Sequence, residues 1–86
     1  MHSFIANLRS DNLRFQVHFD QYYAPDGVRY LVNVRSRNGD SSYFIMKKHT
    51  DDWRIVNSQI VSELFLGFEK WFSDAIMSYQ KNKHRS

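Results

Sequence analysis

Apolar and polar side chains alternate with period two through much of the first half of the chain. Between residues 13 and 23 the apolar phase reads Leu-x-Phe-x-Val-x-Phe, and a second alternating run occupies residues 28–35. Alternation of this kind is typical of a strand with one buried face. A third strand is predicted from residue 41 to 48, and a fourth begins at Trp53. The pattern therefore predicts four strands in succession.

Two turn signals predict how the first three strands pair. Residues 24–27 read Ala-Pro-Asp-Gly, which suits a hairpin loop, and Asn38-Gly39 favours a two-residue type I′ turn. These turns place Val17 opposite Val34, and Val34 opposite Tyr43. Directly opposed residues share a face of the sheet. The predicted buried face therefore comprises Phe15, Val17, Phe19, Val28, Tyr30, Val32, Val34, Tyr43 and Ile45.

The face occupied by the fourth strand depends on the length of the preceding loop, within residues 49–52. A loop of odd length would place Trp53 and Ile55 on the helix side. A loop of even length would place them on the other face, beside Met46. We expect the helix side.

The C-terminal third of the chain changes to a helical period. Apolar residues recur at steps of three and four between Val61 and Tyr79, which predicts an amphipathic helix with one continuous aromatic stripe. Either Ser58 or Ser62 can serve as its N-cap. The apolar face of the predicted sheet is the natural partner of this stripe.

The chain is therefore predicted to be one α+β domain, residues 1–86, in which a four-stranded antiparallel meander packs one face on a long C-terminal amphipathic helix. The meander covers residues 13–57 and the helix 58–80. Residues 1–12 form an arm or a short helix, and residues 81–86 a basic tail. The size of 86 residues fits a single domain.

Composition excludes several classes of protein. The chain has no cysteine, so disulfide scaffolds and thiolate metal sites are excluded. No apolar run approaches the length of a membrane span, and we expect no membrane association. The N-terminal residues lack the apolar centre of a signal peptide, which makes a cytoplasmic location the default expectation.

The polar face of the predicted sheet carries two features. An apolar group near its centre, together with two helix residues off the buried stripe, suggests a protein interface. Its members are Leu31, Phe44, Met46, Leu66 and Met77. The competing interpretation is that the N-terminal segment, with Phe4, Ile5 and Leu8, folds over this patch within one chain.

The same face is predicted to be basic, with candidate anion or nucleic-acid contacts at Arg14, Arg29, Arg35, Arg37, Lys48 and Tyr22. The register sets Arg14 opposite Arg37, and Arg29 opposite Lys48. Like charges opposed across strands destabilise a sheet, and an acidic partner would relieve them. Basic and aromatic side chains together can bind phosphates and stack on bases. No signature of the common RNA-binding modules accompanies them.

Residues with catalytic or metal-binding chemistry do not form a recognisable motif. The histidines lack metal-ligand spacing, the glycines form no phosphate loop, and no serine or threonine has an evident base. We therefore expect no catalytic residue, no cofactor and no metal.

The first functional hypothesis is a small non-enzymatic module that acts through protein contacts, either with itself as a homodimer or with another protein. The alternative is a nucleic-acid-binding domain that uses the arginine-rich face and the basic tail. A minor third hypothesis is a small-ligand carrier with a cavity near Tyr30, Tyr43 and Trp71.

Overall fold

The computed structural model describes residues 3–83 and contains one antiparallel sheet covered on one face by helices. The strands are β1 Ser3–Ser10, β2 Leu13–Ala24, β3 Gly27–Ser36, β4 Ser41–His49 and β5 Asp52–Ile55. They lie in sequence order across the sheet. A 3₁₀ turn at Ser58–Ile60 leads to helices α1, Glu63–Leu66, and α2, Glu69–Lys83. The predicted α+β meander is confirmed, but it has five strands where the sequence predicted four.

The additional strand is β1, where an arm or a short helix was predicted. Phe4 lies opposite Phe19 of β2 and faces the helices, where its ring stacks between Phe19 at 4.4 Å and Tyr79 at 4.2 Å. Leu8 shares this face and is buried. Ile5 has the opposite phase and is 56% exposed. Because Ile5 is apolar although it lies in the polar phase, Phe4, Ile5 and Leu8 have the spacing of a helix but form a strand. β1 therefore extends the sheet and does not cover its outer face.

The first predicted hairpin is confirmed. Val17 lies opposite Val34, and Tyr23 opposite Val28. Ala24 pairs with Gly27, so the turn consists of Pro25 and Asp26 alone. Proline sets its own φ for a turn, and Gly27 has a φ of 133° that is open to glycine.

The second predicted hairpin is wrong by one residue. The N–H of Ser36 donates to the carbonyl of Asp40 at 2.9 Å, so the loop is three residues, 37–39. Gly39 closes it with a φ of 94°. Asn-Gly suits this loop, in which a left-handed residue forms a bulge, as well as it suits the predicted two-residue turn.

The extra loop residue inverts the two faces of β4, because side chains alternate along a strand. Phe44 and Met46 therefore face the helices and are 5% and 0% exposed. Tyr43 and Ile45 take the outer face instead. The prediction had these two pairs reversed.

Trp53 and Ile55 lie on the helix side as expected, 2% and 6% exposed, although the expected loop parity is wrong. His49 pairs with Asp52 across a loop of even length, and Ile55 lies opposite Met46. The even loop would have placed β5 on the outer face in the predicted register. The inversion of β4 compensates, because the face of Met46 is the buried one.

The predicted long helix is divided in two near Gly67. Ser62 is the N-cap of α1, since its side chain accepts a hydrogen bond from the N–H of Leu64 at 3.3 Å. Phe68 N–H then bonds to the carbonyl of Phe65, a shorter i to i−3 contact, before α2 begins. Glycine lowers helix propensity by about 1 kcal/mol relative to alanine, which is consistent with a break there.

The core lies between the sheet and α2 and is largely aromatic. Phe72 and Ile76 of α2 are fully buried. Phe72 contacts Phe19 and Phe44 edge to face, at centroid distances of 6.5 and 5.1 Å. Edge-to-face pairs contribute about 0.5–1.5 kcal/mol each beyond their buried area. Packing against the helix therefore stabilises the arrangement in which Phe19 and Phe44 face the core.

Candidate anion-binding face

The outer face of the sheet, opposite the helices, does not carry the protein interface that the sequence predicted there. Phe44 and Met46 belong to the core because of the β4 register. Leu66 and Met77 are half-buried and pack against that core. Only Leu31 of the five predicted residues lies on the outer face, where it pairs with Ile45.

Four arginines gather at one end of this face, near the β1–β2 turn and the β3–β4 loop. The arginine cluster consists of Arg9, Arg14, Arg35 and Arg37. They line a common open depression of about 660 Å³. Arg9 lies directly opposite Arg14 across the β1–β2 pair. Three strands and a loop thus supply one concentrated positive charge.

Hydrogen bonds hold part of the cluster in place. The Nε of Arg35 donates to Oδ1 of Asn33 at 2.6 Å, and Nδ2 of Asn33 donates to the carbonyl of Ser42 at 3.3 Å. Asn33 is only 4% exposed although it belongs to the outer face. In the neighbouring strand a hydrogen bond of 2.9 Å joins His18 Nε2 to Gln16 Oε1. Two residues that line the depression, Arg35 and Gln16, are therefore held by hydrogen bonds to their neighbours Asn33 and His18.

Carboxylates do not neutralise the cluster within residues 3–83. Asp11 lies in the β1–β2 turn and Asp40 directly follows the β3–β4 loop, yet neither forms an ion pair within 4.0 Å. The opposed pair Arg9 and Arg14 is unfavourable by itself. An anion bound between the arginines would gain from both, since guanidinium groups suit the geometry of phosphate.

The other end of the outer face carries ion pairs. Asp26 contacts Lys47 at 2.7 Å and Arg29 at 3.1 Å. The hydrogen bond from Lys47, followed by that from Arg29, lowers the pKa of the Asp26 carboxyl from 3.8 to about 2. The hydrogen bond from Arg54 likewise lowers the pKa of Asp52. We call this region the ion-paired end.

The predicted anion contacts are thus divided between two places. Arg14, Arg35 and Arg37 meet in the cluster, whereas Arg29 lies at the ion-paired end with Tyr22 opposite it. Lys48 was placed on the outer face wrongly, because it pairs with Trp53 on the helix-side phase. Lys47 takes the position opposite Arg29.

Sequence reasoning missed two cations of the outer face, Arg9 in the arginine cluster and Lys47 at the ion-paired end. The signal for Arg9 was the alternation of Phe4, Ala6 and Leu8 in β1, which sets Arg9 in the polar phase. The signal for Lys47 depends on the β4 register. No local pattern distinguishes it, because four consecutive residues of β4 are apolar.

A strip of ring-bearing and apolar side chains adjoins the cluster. Tyr43 is 64% exposed and lies opposite Asn33, which in turn lies opposite His18. Ile5 continues the same row across β1. Asn33 lies two residues before Arg35 on the same face of β3, so the strip directly adjoins the row of Arg35.

Two of the residues predicted to surround a small-ligand cavity, Tyr30 and Tyr43, do not lie on the same side of the sheet. Tyr30 is fully buried against Trp53, with ring centroids 5.1 Å apart, and Tyr43 lies on the opposite face of the sheet.

Within residues 3–83 no group of three potential metal ligands occurs. None of the helices in that range is long and apolar enough to cross a membrane. Residues 84–86 of the predicted basic tail lie outside the described part of the chain.

Comparison with known proteins adds no family to this description. No protein-family model, curated protein or solved structure matches the chain.

Proposed function

We propose that this protein is a non-enzymatic binding module that holds single-stranded nucleic acid on the outer face of its sheet. The observation that carries the proposal is the arginine cluster, four guanidinium groups around one depression, none of which forms an ion pair with a carboxylate of residues 3–83. The phosphate backbone dominates the affinity of such complexes, and arginine is well suited to phosphate.

The strip beside the cluster supports a single strand as the ligand. Exposed bases can stack on Tyr43 and His18, and stacking on aromatic side chains contributes about 1–3 kcal/mol per base. The face of a five-stranded sheet is too broad for the major groove of a duplex, which admits a helix or a two-stranded ribbon. The phosphates then lie at the arginines and the bases point toward Tyr43.

The test is fluorescence anisotropy of labelled single-stranded RNA and DNA over a series of salt concentrations. We expect binding that weakens steeply with salt. The double variant Arg14→Gln/Arg37→Gln should reduce the slope of log K against log salt by about 1.4, because each phosphate contact on a single strand contributes about 0.7.

The matched control is Lys47→Gln/Arg54→Gln at the ion-paired end. Both side chains are exposed, and both double variants lower the net charge from +3 to +1 by removing two cations. The control should bind nearly as the parent does. Absence of binding at low salt, or equal losses in the two variants, would reject the proposal.

A further inference from the structure

The two edges of the sheet differ in whether another element covers their backbone hydrogen-bonding groups. At the β5 edge, α2 supplies partners for the outward backbone donors. Trp53 N–H donates to Ser73 Oγ at 3.0 Å, and Ile55 N–H donates to Glu69 Oε2 at 2.9 Å. Ser73 is itself only 3% exposed. Covering an edge in this way prevents another strand from pairing there.

The β1 edge has no such cover among residues 3–83. Ser10 pairs with Leu13 across a two-residue turn, so these two residues exchange the closing hydrogen bonds. Alternation along the strand then directs every second residue of β1 away from β2. The residues whose N–H and C=O face outward are Ser3, Ile5, Asn7 and Arg9.

β1 also lacks the features that normally prevent edge pairing. Such features are proline, lysine, a bulge, or a very short strand. β1 is eight residues long, contains neither proline nor lysine, and keeps regular pairing with β2 throughout. Its only charged residue is Arg9, and it lies next to the end of the strand.

We propose that β1 pairs antiparallel with β1 of a second copy of this chain, with Ala6 opposite Ala6 of that copy. This register brings all four outward-facing residues into the ladder, because Ser3 meets Arg9 and Ile5 meets Asn7. It also keeps the helix-facing residues together, with Phe4 opposite Leu8. The product is a continuous ten-stranded sheet with both sets of helices on one side.

Charge complementarity argues for a second copy as the partner. Ser3 lies opposite Asp20 in β2, and its hydroxyl donates to the Asp20 carboxylate at 2.6 Å. The proposed register sets Arg9 of the second copy next to Ser3, in one row with Asp20 on the outer face. Asp20 forms no ion pair within residues 3–83. Twofold symmetry repeats this contact, as an isologous interface requires.

The same contact relieves a strain within each chain. Arg9 faces Arg14 in its own sheet, which is unfavourable between like charges. A carboxylate from the second copy is an attractive partner for Arg9. The dimer does not depend on the proposed nucleic-acid binding, since β1 pairing uses backbone groups, Arg9 and Asp20, and leaves Arg14, Arg35 and Arg37 without an ion-paired carboxylate among residues 3–83.

A charge exchange tests both the partner and the register. Sedimentation of the 86-residue chain over a concentration series should show a monomer–dimer equilibrium. Arg9→Asp should raise the dimer dissociation constant at least about tenfold, because like charges then meet at the interface. The double variant Arg9→Asp/Asp20→Arg should restore the dimer. A parent chain that stays monomeric, or a double variant that stays as weak as the single one, would overturn the proposal.

A backbone variant provides an independent test. Ile5→Pro removes an outward N–H and leaves the β1–β2 ladder intact, since proline is accepted on the free side of an edge strand. The matched control Ile5→Val keeps the N–H and a strand-forming side chain. We expect dimer loss only with proline, while the thermal unfolding of both variants shows a folded chain. Dimerisation unchanged by proline would contradict the pairing of β1.

Discussion

The two ends of the outer face use the same kind of side chain but differ in what surrounds it. At the ion-paired end, Arg29 and Arg54 contact Asp26 and Asp52 at 3.1 Å. At the other end, the arginine cluster has no carboxylate within ion-pair distance among residues 3–83. Arg35 lies six positions after Arg29 along β3, which corresponds to about 20 Å at about 3.3 Å per residue.

The difference shows that a count of arginines is a poor guide to a binding face. An arginine with a carboxylate partner contributes little field to an incoming anion, whereas several without one add their potentials. The ion-paired end therefore serves as an internal control for the cluster. Four changes test this comparison, in order of decreasing expected effect.

Charge reversal in the cluster should have the largest effect. Arg14→Glu/Arg37→Glu places two carboxylates in the proposed phosphate path, and like charges at an interface cost several kcal/mol, so affinity should fall about 100-fold or more. The control Lys70→Glu/Lys81→Glu gives the same net charge from exposed positions on α2. It should weaken binding of a labelled oligonucleotide far less. Equal losses would mean that net charge alone governs binding.

Release of the ion-paired end should strengthen binding. Asp26→Asn removes the carboxylate shared by Arg29 and Lys47, and each released cation should raise affinity about two- to fivefold, the scale of an exposed ion pair. Anisotropy titrations at low salt would measure the gain. The variant Pro25→Ala in the same turn leaves the ion pairs in place and should leave affinity unchanged. A loss of affinity with Asp26→Asn would contradict the comparison.

Loss of the hydrogen bond that orients Arg35 should have a smaller effect. Asn33→Ala removes the acceptor of Arg35 Nε without changing the charge, and affinity should fall about threefold, consistent with one hydrogen bond of about 0.5–1.5 kcal/mol. The slope with salt should remain that of the parent, because the number of cations is the same. A changed slope would mean that Asn33 does more than orient Arg35.

Acid should act on the ion-paired end through Asp26. Its folded-state pKa of about 2 lies below the usual 3.8, so its stabilising contribution is complete above pH 3.8 and disappears as the pH falls through 2. Urea unfolding over this range should show a decline that Asp26→Asn reduces. NMR titration of the carboxyl should give a midpoint near 2, shifted upward in Lys47→Gln. An ordinary midpoint would disprove the ion pair.

The sequence predicted the parts of this fold in which a turn has only one good solution. Ala-Pro-Asp-Gly at residues 24–27 specified a single register, and the helical stripe identified Phe72 and Ile76 as buried. Arg14 and Arg35 were placed on the outer face for the same reason. In each case the structure favoured by the local sequence also buries the apolar face, so local preference and tertiary packing agree.

Prediction failed where two local solutions were equally good. Asn38-Gly39 fits a two-residue turn and a three-residue loop, and the residues that follow, Tyr-Phe-Ile-Met, are apolar in both phases. Neither the turn nor the alternation could therefore choose the face of β4. The prediction of the site failed for the same reason, because the observed β4 register places Phe44 and Met46 in the core and Lys47 on the outer face.

By itself, the sequence determined an antiparallel meander packed on an aromatic helix, with arginines on the far side of the sheet. The tertiary structure decided which of those arginines meet. It added β1, and with it Arg9, because Phe4 fits between Phe19 and Tyr79. It selected Phe44 over Tyr43 for the core, where Phe44 meets Phe72 at 5.1 Å. Both choices depend on packing between elements distant in sequence, and local patterns carry no information about that packing.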